Sequence, residues 1–116
     1  MARNKKLPPI HPGEMLREEF LAPLNMKPEE LAREINIPAK TIKDICQEKK
    51  SLTPEIIFRL AIYFKISYDF WLVIQQDYER ECLEDILENQ ERQIKKQITP
   101  LSASQLKVNG RLRKSA

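Results

Sequence analysis

The chain has few of the residues from which catalytic and metal sites are built: two glycines, two cysteines and one histidine among 116 residues. Two glycines leave little for a backbone loop that cradles phosphates. Cys46 and Cys82 lack a CxxC spacing, and together with His11 they fall short of the roughly four nitrogen or sulfur ligands of a structural zinc. No paired carboxylates and no nucleophile with a neighbouring base occur. The sequence therefore predicts no enzyme, no metal and no cofactor, and it predicts reduced, buried or half-buried thiols.

Long apolar runs and a secretory start are also missing. No stretch of about 18 apolar residues occurs, so no membrane association is predicted. The opening MARNKKLPPI lacks the apolar segment of a signal peptide, which predicts a cytoplasmic protein. The net charge is only +3, but basic residues gather near both ends, and acids dominate residues 77–91. The basic ends of the chain therefore suit phosphate, and the acidic segment repels it.

The stretch PEELAREINIPAKTIKDICQEK, from Pro28 to Lys49, is typical of two short helices joined by a sharp turn at Asn36. Its apolar seam recurs at helical spacing and consists of Leu31, Ile35, Ile42 and Ile45. The second helix, from about Pro38 to Gln47, would present outward-facing polar side chains to a DNA major groove, namely Lys40, Thr41, Lys43 and Gln47. The alternative is an ordinary helical hairpin with a solvated outer face.

Further helical patterns flank this motif. A helix enters at Pro12 and ends at Pro23, with His11 in a turn or capping role. Thr53 and Pro54 start another helix that ends at Lys65, and Ser67 with Asp69 starts the next. The aromatic-rich run that follows favours core packing over single-strand stacking, because Phe70, Trp71 and Ile74 recur at helical spacing.

Composition divides the chain into four parts. Residues 1–10 are predicted to be a flexible basic arm, residues 11–80 the helix-turn-helix domain, residues 81–98 an extension of the last helix, and residues 99–116 a basic, disordered tail. The last helix carries an apolar stripe at Tyr78, Cys82 and Ile86. An amphipathic helix that extends beyond its domain must bury its stripe, so a partner helix is expected, most simply in a second copy. A helix folded back on its own domain is the alternative.

Residues 10–79 resemble the HigA-type antitoxins of bacterial addiction modules, the virulence-associated protein I branch of the Cro and phage-repressor superfamily. The resemblance rests on HPGEMLREEFLAPL, LAREINIPAKTIKDI, LTPEIIFRLAIYF and FWLVIQQDYE. It implies an all-α, five-helix Cro/lambda-repressor-like helix-turn-helix domain, here with an extended C-terminal helix. It also implies a homodimer that binds double-stranded DNA at an inverted-repeat operator in its own promoter and neutralises a small HigB-type ribonuclease toxin.

Carried over by position, the resemblance assigns base contacts to Ala39, Lys40, Thr41, Lys43 and Gln47, and phosphate contacts to Lys49 and Lys50. The chain departs from the family pattern at four positions where glycine is usual, namely Asn25, Asn36, Glu48 and Lys65. Two other functions stay open. One is a helix-turn-helix transcriptional repressor with no toxin partner, and the other is a protein-interaction module that uses the acidic C-terminal helix.

Overall fold

The computed structural model describes residues 8–108 and 111–112, and the side chains of residues 8–105. Most of the predicted basic arm and the end of the predicted tail lie outside the described residues. We number the helices α1 (Pro12–Met15, Leu16–Leu21 and Ala22–Leu24 in succession), α2 (Pro28–Ile35), α3 (Ala39–Cys46), α4 (Pro54–Phe64), α5 (Tyr68–Asn89) and α6 (Glu91–Gln97). The predicted all-α fold is confirmed.

Helix α1 differs from its prediction at its C-terminal end. Pro23 was expected to end the helix, but the helix continues to Leu24, and Asn25 follows in the left-handed conformation with φ 54°. Proline has no N–H, and its ring would collide with the carbonyl four residues earlier in a regular α-helix. The segment Leu16–Leu21 is a wider π-helix, in which Ala22 N–H bonds to Arg17 O. This wider segment ends at Leu21, two residues before Pro23.

The helix start signals of the sequence are confirmed. The Nδ1 atom of His11 accepts a hydrogen bond from Gly13 N at 2.8 Å, so His11 caps α1. Thr53 Oγ1 accepts from Ile56 N at 3.2 Å at the start of α4, and Ser67 Oγ accepts from Asp69 N at 3.1 Å at the start of α5. Each cap satisfies a backbone donor that has no partner inside its helix.

The core lies among α1 to α5. Its buried apolar residues are Leu16, Leu21, Leu31, Ala32, Ile35, Ile42, Ile45, Cys46, Leu52, Ile56, Ile57, Leu60 and Trp71. The ring of Trp71 is fully buried, and the rings of Phe20 and Phe70 lie 4.8 and 5.2 Å from it. Phe70 and Trp71 therefore pack in the core as predicted, whereas Tyr68 of the same run is exposed. Burying rings of this size stabilises a small domain strongly, because each removes about 150–250 Å² from water.

The chain divides into two compact units, one ending at Leu83 and the other beginning at Glu84. The predicted helical extension is broken at Gln90, which has φ −130°, and α6 follows. Asn89 Nδ2 donates to Asp85 O at 2.9 Å, and this side-chain bond competes with continuation of the helix. A short 3₁₀ turn, Ser104–Leu106, precedes β1 (Lys107–Val108), which pairs antiparallel with β2 (Arg111–Leu112). No described helix is long and apolar enough to cross a membrane.

Candidate nucleic-acid interface

The turn between α2 and α3 is fixed by backbone geometry and by one arginine. Asn36 adopts φ 59° and ends α2, and Ile37 N donates to Ala32 O at 2.9 Å. Arg59 of α4 donates from Nη1 to Ile35 O at 2.9 Å, which satisfies a carbonyl at the end of α2. A cation at a helix C-terminus also interacts favourably with the helix dipole. These bonds hold the angle at which α3 leaves α2.

The N-terminus of α1 supports α3 from the other side. A Cβ atom built on Gly13 would lie 1.7 Å from Ile45 O, so only glycine permits this approach. Arg17 donates from Nη1 to Cys46 O at the end of α3, and its guanidinium lies 3.6 Å from the carboxylate of Glu48. The HPGE stretch and the nearby arginine therefore position the second helix of the motif. Sequence reasoning assigned no such role to Gly13 or Arg17.

The exposed face of α3 carries the predicted base-reading residues. Ala39, Lys40, Lys43 and Gln47 are exposed, and Thr41 is half-buried. Ala39, Lys43 and Gln47 are spaced four residues apart and so form one stripe along the helix. The opposite face is buried at Ile42, Ile45 and Cys46. This separation leaves an exposed stripe along α3 that suits a major groove.

Two carboxylates that the sequence reasoning did not assign lie among these lysines. Asp44 accepts a hydrogen bond from Lys40 at 3.0 Å and lies 3.8 Å from Lys50. Glu29 of α2 lies 3.0 Å from Lys43. The hydrogen bond from Lys40 lowers the pKa of Asp44, and the hydrogen bond from Lys43 lowers the pKa of Glu29. The i,i+4 spacing of Lys40 and Asp44 was the signal available in the sequence.

These acids orient the lysines without holding them strongly. Exposed ion pairs contribute little to stability because solvent screens them, and the side chain of Lys40 is 82% exposed. Each phosphate contact on duplex DNA also releases condensed counterions. A lysine can therefore exchange its carboxylate for a phosphate or a base at modest cost.

The loop after α3 is held in place by a side chain from α5. Gln75 bonds to both backbone groups of Leu52, accepting from its N at 2.6 Å and donating to its O at 2.9 Å. Glu48 begins the loop with φ 64°, and Lys49 N donates to Asp44 O at 2.8 Å. Lys49 and Lys50 are exposed on this loop. The predicted phosphate-contacting lysines thus lie on a loop whose backbone is held by Gln75, and no sequence pattern pointed to Gln75.

The two cysteines are free, as predicted. Burial raises the pKa of the Cys46 thiol to about 11, so this residue stays protonated at neutral pH and acts as a small apolar core residue. Cys82 is half-buried. Among the described side chains, no group of three or more histidines, cysteines and acids is arranged to hold a metal ion.

The predicted partner stripe on α5 is only partly free. The ring of Tyr78 lies 4.8 Å from the ring of His11 in an edge-on contact, so Tyr78 packs on its own domain. A hydrogen bond with Cys82 raises the pKa of the Tyr78 hydroxyl. Ile86 is 38% exposed. The stripe's role as a partner surface stays a prediction.

The sequence of this chain matches a known family profile and a known relative. A family profile described as Helix-turn-helix matches residues 16–71. Virulence-associated protein I of Dichelobacter nodosus is 34% identical over 101 residues, which cover 87% of this chain and 89% of the relative.

Two solved structures share the fold. The antitoxin HigA of Pseudomonas aeruginosa, solved with the higBA promoter, is 37% identical, with a TM-score of 0.65 over 81% of this chain and 99% of that chain. An addiction module antidote protein of the HigA family from Coxiella burnetii is 33% identical, with a TM-score of 0.65 over 82% of this chain and 100% of that chain. The matched helix-turn-helix family consists of DNA-binding regulators and not of enzymes. The chain therefore belongs to the HigA-type, virulence-associated protein I family of helix-turn-helix proteins.

Proposed function

We propose that this chain is an antitoxin that neutralises a small HigB-type ribonuclease toxin and, as a homodimer, represses its own promoter by binding an inverted-repeat operator. The observation that carries the proposal is the exposed polar stripe of α3 beside the fixed lysine loop. The likeness to an antitoxin solved with its promoter supports it. Its DNA target implies that the chain acts in the cytoplasm.

Two kinds of contact contribute to the free energy of DNA binding. Lys49 and Lys50 bind phosphates through counterion release, which is independent of sequence and weakens steeply with salt. The α3 stripe supplies base contacts worth about 1–3 kcal/mol each when two good hydrogen bonds form. A two-fold dimer places two α3 helices about 34 Å apart, one turn of duplex, which requires an inverted repeat. Phosphate contacts thus fix the register, and α3 reads the sequence.

The DNA part is tested with the duplex upstream of this chain's own reading frame and a scrambled duplex of equal length. Lys43→Ala should weaken binding to the promoter duplex at least about 10-fold and change binding to the scrambled duplex little. Lys50→Ala should weaken both about equally and flatten the salt dependence. Arg80→Ala is the control, because Arg80 is an exposed cation on α5 that pairs with Asp77 at 3.2 Å. Equal losses on both duplexes for Lys43→Ala would remove Lys43 from the base-reading set.

The antitoxin part is tested by growth. The small reading frame adjacent to this gene is induced in host cells with and without this chain. Arrest that this chain relieves supports the proposal and identifies the toxin. The absence of arrest favours the alternative of a repressor with no toxin partner.

We propose that the acidic segment, residues 77–91, faces the toxin's basic RNA-binding surface. The segment is dominated by carboxylates, and Glu84, Leu87 and Glu88 are exposed in it. Charge reversal at Glu84, Asp85 and Glu88 should weaken toxin binding by at least about 10-fold and leave promoter binding unchanged. Unchanged toxin binding would exclude this surface.

A further inference from the structure

Asp44 of α3 lies where the predicted base-reading helix meets the loop that follows it. Its Oδ2 atom accepts a hydrogen bond from Lys40 Nζ at 3.0 Å and lies 3.8 Å from Lys50 Nζ. Lys40 belongs to the exposed face of α3, and Lys50 belongs to the loop that carries the predicted phosphate contacts. One carboxylate oxygen therefore joins a lysine from each of the two parts of the interface.

The backbone and the burial of Asp44 strengthen this junction. Lys49 N donates to the backbone carbonyl of Asp44 at 2.8 Å, so the loop is also bonded to the main chain of this residue. Only 13% of the Asp44 side chain is exposed, compared with 82% for Lys40 and 53% for Lys50. An exposed lysine has many rotamers, whereas a mostly buried side chain has few. Asp44 is therefore the member of this cluster whose position the fold determines.

The electrostatics of Asp44 agree with this geometry. The hydrogen bond from Lys40 lowers the pKa of Asp44, and the charges of Lys50 and Lys49 lower it further, while desolvation opposes them. The carboxylate is therefore ionised at neutral pH. The cations that act on it come from both α3 and the loop.

Glu29, the second carboxylate of this surface, is arranged differently. It lies 3.0 Å from Lys43, and its side chain is 47% exposed. This ion pair connects α2 with α3. Of the two carboxylates, Asp44 is thus the one whose described ion pairs connect α3 with the loop.

We propose that Asp44 is a positioning residue of the DNA interface, which holds Lys40 and Lys50 so that base contacts and phosphate contacts form in one register. The inference rests on the proposed promoter recognition and names a residue that sets its selectivity. A lysine carries a point charge on a flexible stem, so by itself it selects neither one base nor one phosphate. Orienting such a side chain costs free energy on binding, and a lysine already oriented by Asp44 has less to lose. Only a duplex whose groups match that orientation benefits.

The proposal predicts how the two affinities change when the carboxylate charge is lost. Asp44 offsets part of the positive charge that Lys40 and Lys50 present to DNA. In Asp44→Asn both lysines are free to bind phosphates of any sequence, which adds about one counterion to those released. Binding to a scrambled duplex should therefore tighten. The promoter complex gains the same charge but loses the oriented contact of Lys40, so the two affinities should converge.

The test measures the dissociation constants of the full chain for the promoter duplex and the scrambled duplex over a range of salt concentrations. Asp44→Asn should lower their ratio at least about 10-fold and steepen the salt dependence on the scrambled duplex by about one unit. Asp44→Glu keeps the charge and should retain most of the discrimination. Asp77→Asn is the matched control, since it makes the same change at an exposed carboxylate of α5 that pairs with Arg80 at 3.2 Å. Equal changes on both duplexes in Asp44→Asn would overturn the proposal.

A double-mutant cycle tests whether Asp44 acts through Lys40. If it does, Asp44→Asn should lower the ratio much less in a Lys40→Ala background than in the wild-type chain. A carboxylate that only repels phosphates would have the same effect in both backgrounds, and that result would overturn the positioning role. Unchanged circular dichroism and thermal melting show that each variant is folded.

The junction itself is tested without DNA. Nuclear magnetic resonance follows the carboxyl carbon of Asp44 through a pH titration of the wild-type chain, Lys40→Ala and Lys50→Ala. The pKa of Asp44 should lie below the ordinary aspartate value of about 3.9 in the wild type and rise in both variants. A pKa that neither substitution raises would overturn the proposal, even if Asp44→Asn fails to fold.

The wild-type measurements separate this inference from the proposed function. A wild-type chain that binds both duplexes equally would contradict the proposed promoter recognition and, with it, the selectivity assigned to Asp44. A wild-type chain that prefers the promoter, together with an Asp44→Asn variant that prefers it equally, would contradict this inference alone.

Discussion

The two units of the chain hold their helices by different means. In the first unit, helices α1 to α4 and the first part of α5 surround a buried core, and arginines from neighbouring helices bond to the final carbonyls of α2 and α3. In the second, no described side chain from Glu84 to Gln105 is buried, and the ion pair of Glu91 with Lys95 at 2.7 Å connects residues of the same helix. A DNA-reading surface must be rigid before it binds, because its register depends on fixed geometry. A segment without its own core can take its final packing from a partner.

Among the substitutions that test this comparison, Gly13→Ala should change the free energy of unfolding most. The added Cβ would overlap Ile45 O, a backbone atom that cannot move without displacing α3. We expect a loss of about 4 kcal/mol in the free energy of unfolding, or failure to fold. Urea titration followed by circular dichroism measures it, with Glu14→Ala as the neighbouring control. A change below about 1 kcal/mol would show that α1 does not determine where α3 lies.

A matched pair of leucines compares the cores of the two units directly. Leu31 of α2 is fully buried, and Leu87 of α5 is 50% exposed. Leu31→Ala should lower the free energy of unfolding by about 3 kcal/mol, because it removes apolar burial and leaves a cavity. Leu87→Ala should change it by less than about 0.5 kcal/mol. Urea titration measures the free energy of unfolding of both variants. Equal losses would mean that the core of the second unit stabilises the chain as much as the core of the first.

Relieving backbone strain should stabilise the first unit. Lys65 ends α4 with φ 57°, a conformation that costs an L-residue about 1–2 kcal/mol and glycine almost nothing. Lys65→Gly should therefore raise the free energy of unfolding by about 0.5–1 kcal/mol, after the greater flexibility of glycine in the unfolded chain is deducted. Lys65→Ala is the control, because alanine removes the same charge and keeps the strain. Equal gains in the free energy of unfolding in the two variants would mean that loss of the lysine charge, and not relief of strain, is the cause.

The smallest expected effect concerns pH and the cap of α1. Burial lowers the pKa of His11, and its neutral Nδ1 accepts the bond from Gly13 N. The unfolded chain therefore takes up this proton at a higher pH than the folded chain does, so His11 lowers stability as pH falls below the ordinary histidine pKa of about 6.5. His11→Asn should keep the cap and remove this part of the pH dependence. Melting temperatures at pH 7.5 and pH 5.5 measure it, and identical pH slopes in both proteins would contradict the assignment.

Local signals in the sequence predicted most of the fold. Thr53 with Pro54 and Ser67 begin helices because their side chains and fixed φ suit a helix start regardless of tertiary context. The four positions where the family usually has glycine, Asn25, Asn36, Glu48 and Lys65, are the four described non-glycine residues with positive φ. The break at Gln90 was missed, because its Asn89 bond is a weak signal within a strongly helical pattern.

The sequence predicted which side chains of α3 are exposed, and it did not predict the residues that hold α3 and the following loop in place. Lys40, Lys43 and Gln47 follow from helical spacing alone, since that spacing fixes which side chains share a face. Gln75 bonds to Leu52 from 23 positions away, and Arg59 bonds to Ile35 from 24 positions away. A single sequence carries no period that links residues so far apart.

The sequence by itself determined where the helices of the first unit begin, which faces are apolar and which side chains α3 presents, because these depend on local propensity and periodicity. Only the tertiary structure decided that Gly13 lies against Ile45 O and that Asp44 lies between Lys40 and Lys50. Such contacts depend on how helices cross. The crossing is set by the packing of the whole core and not by any one segment.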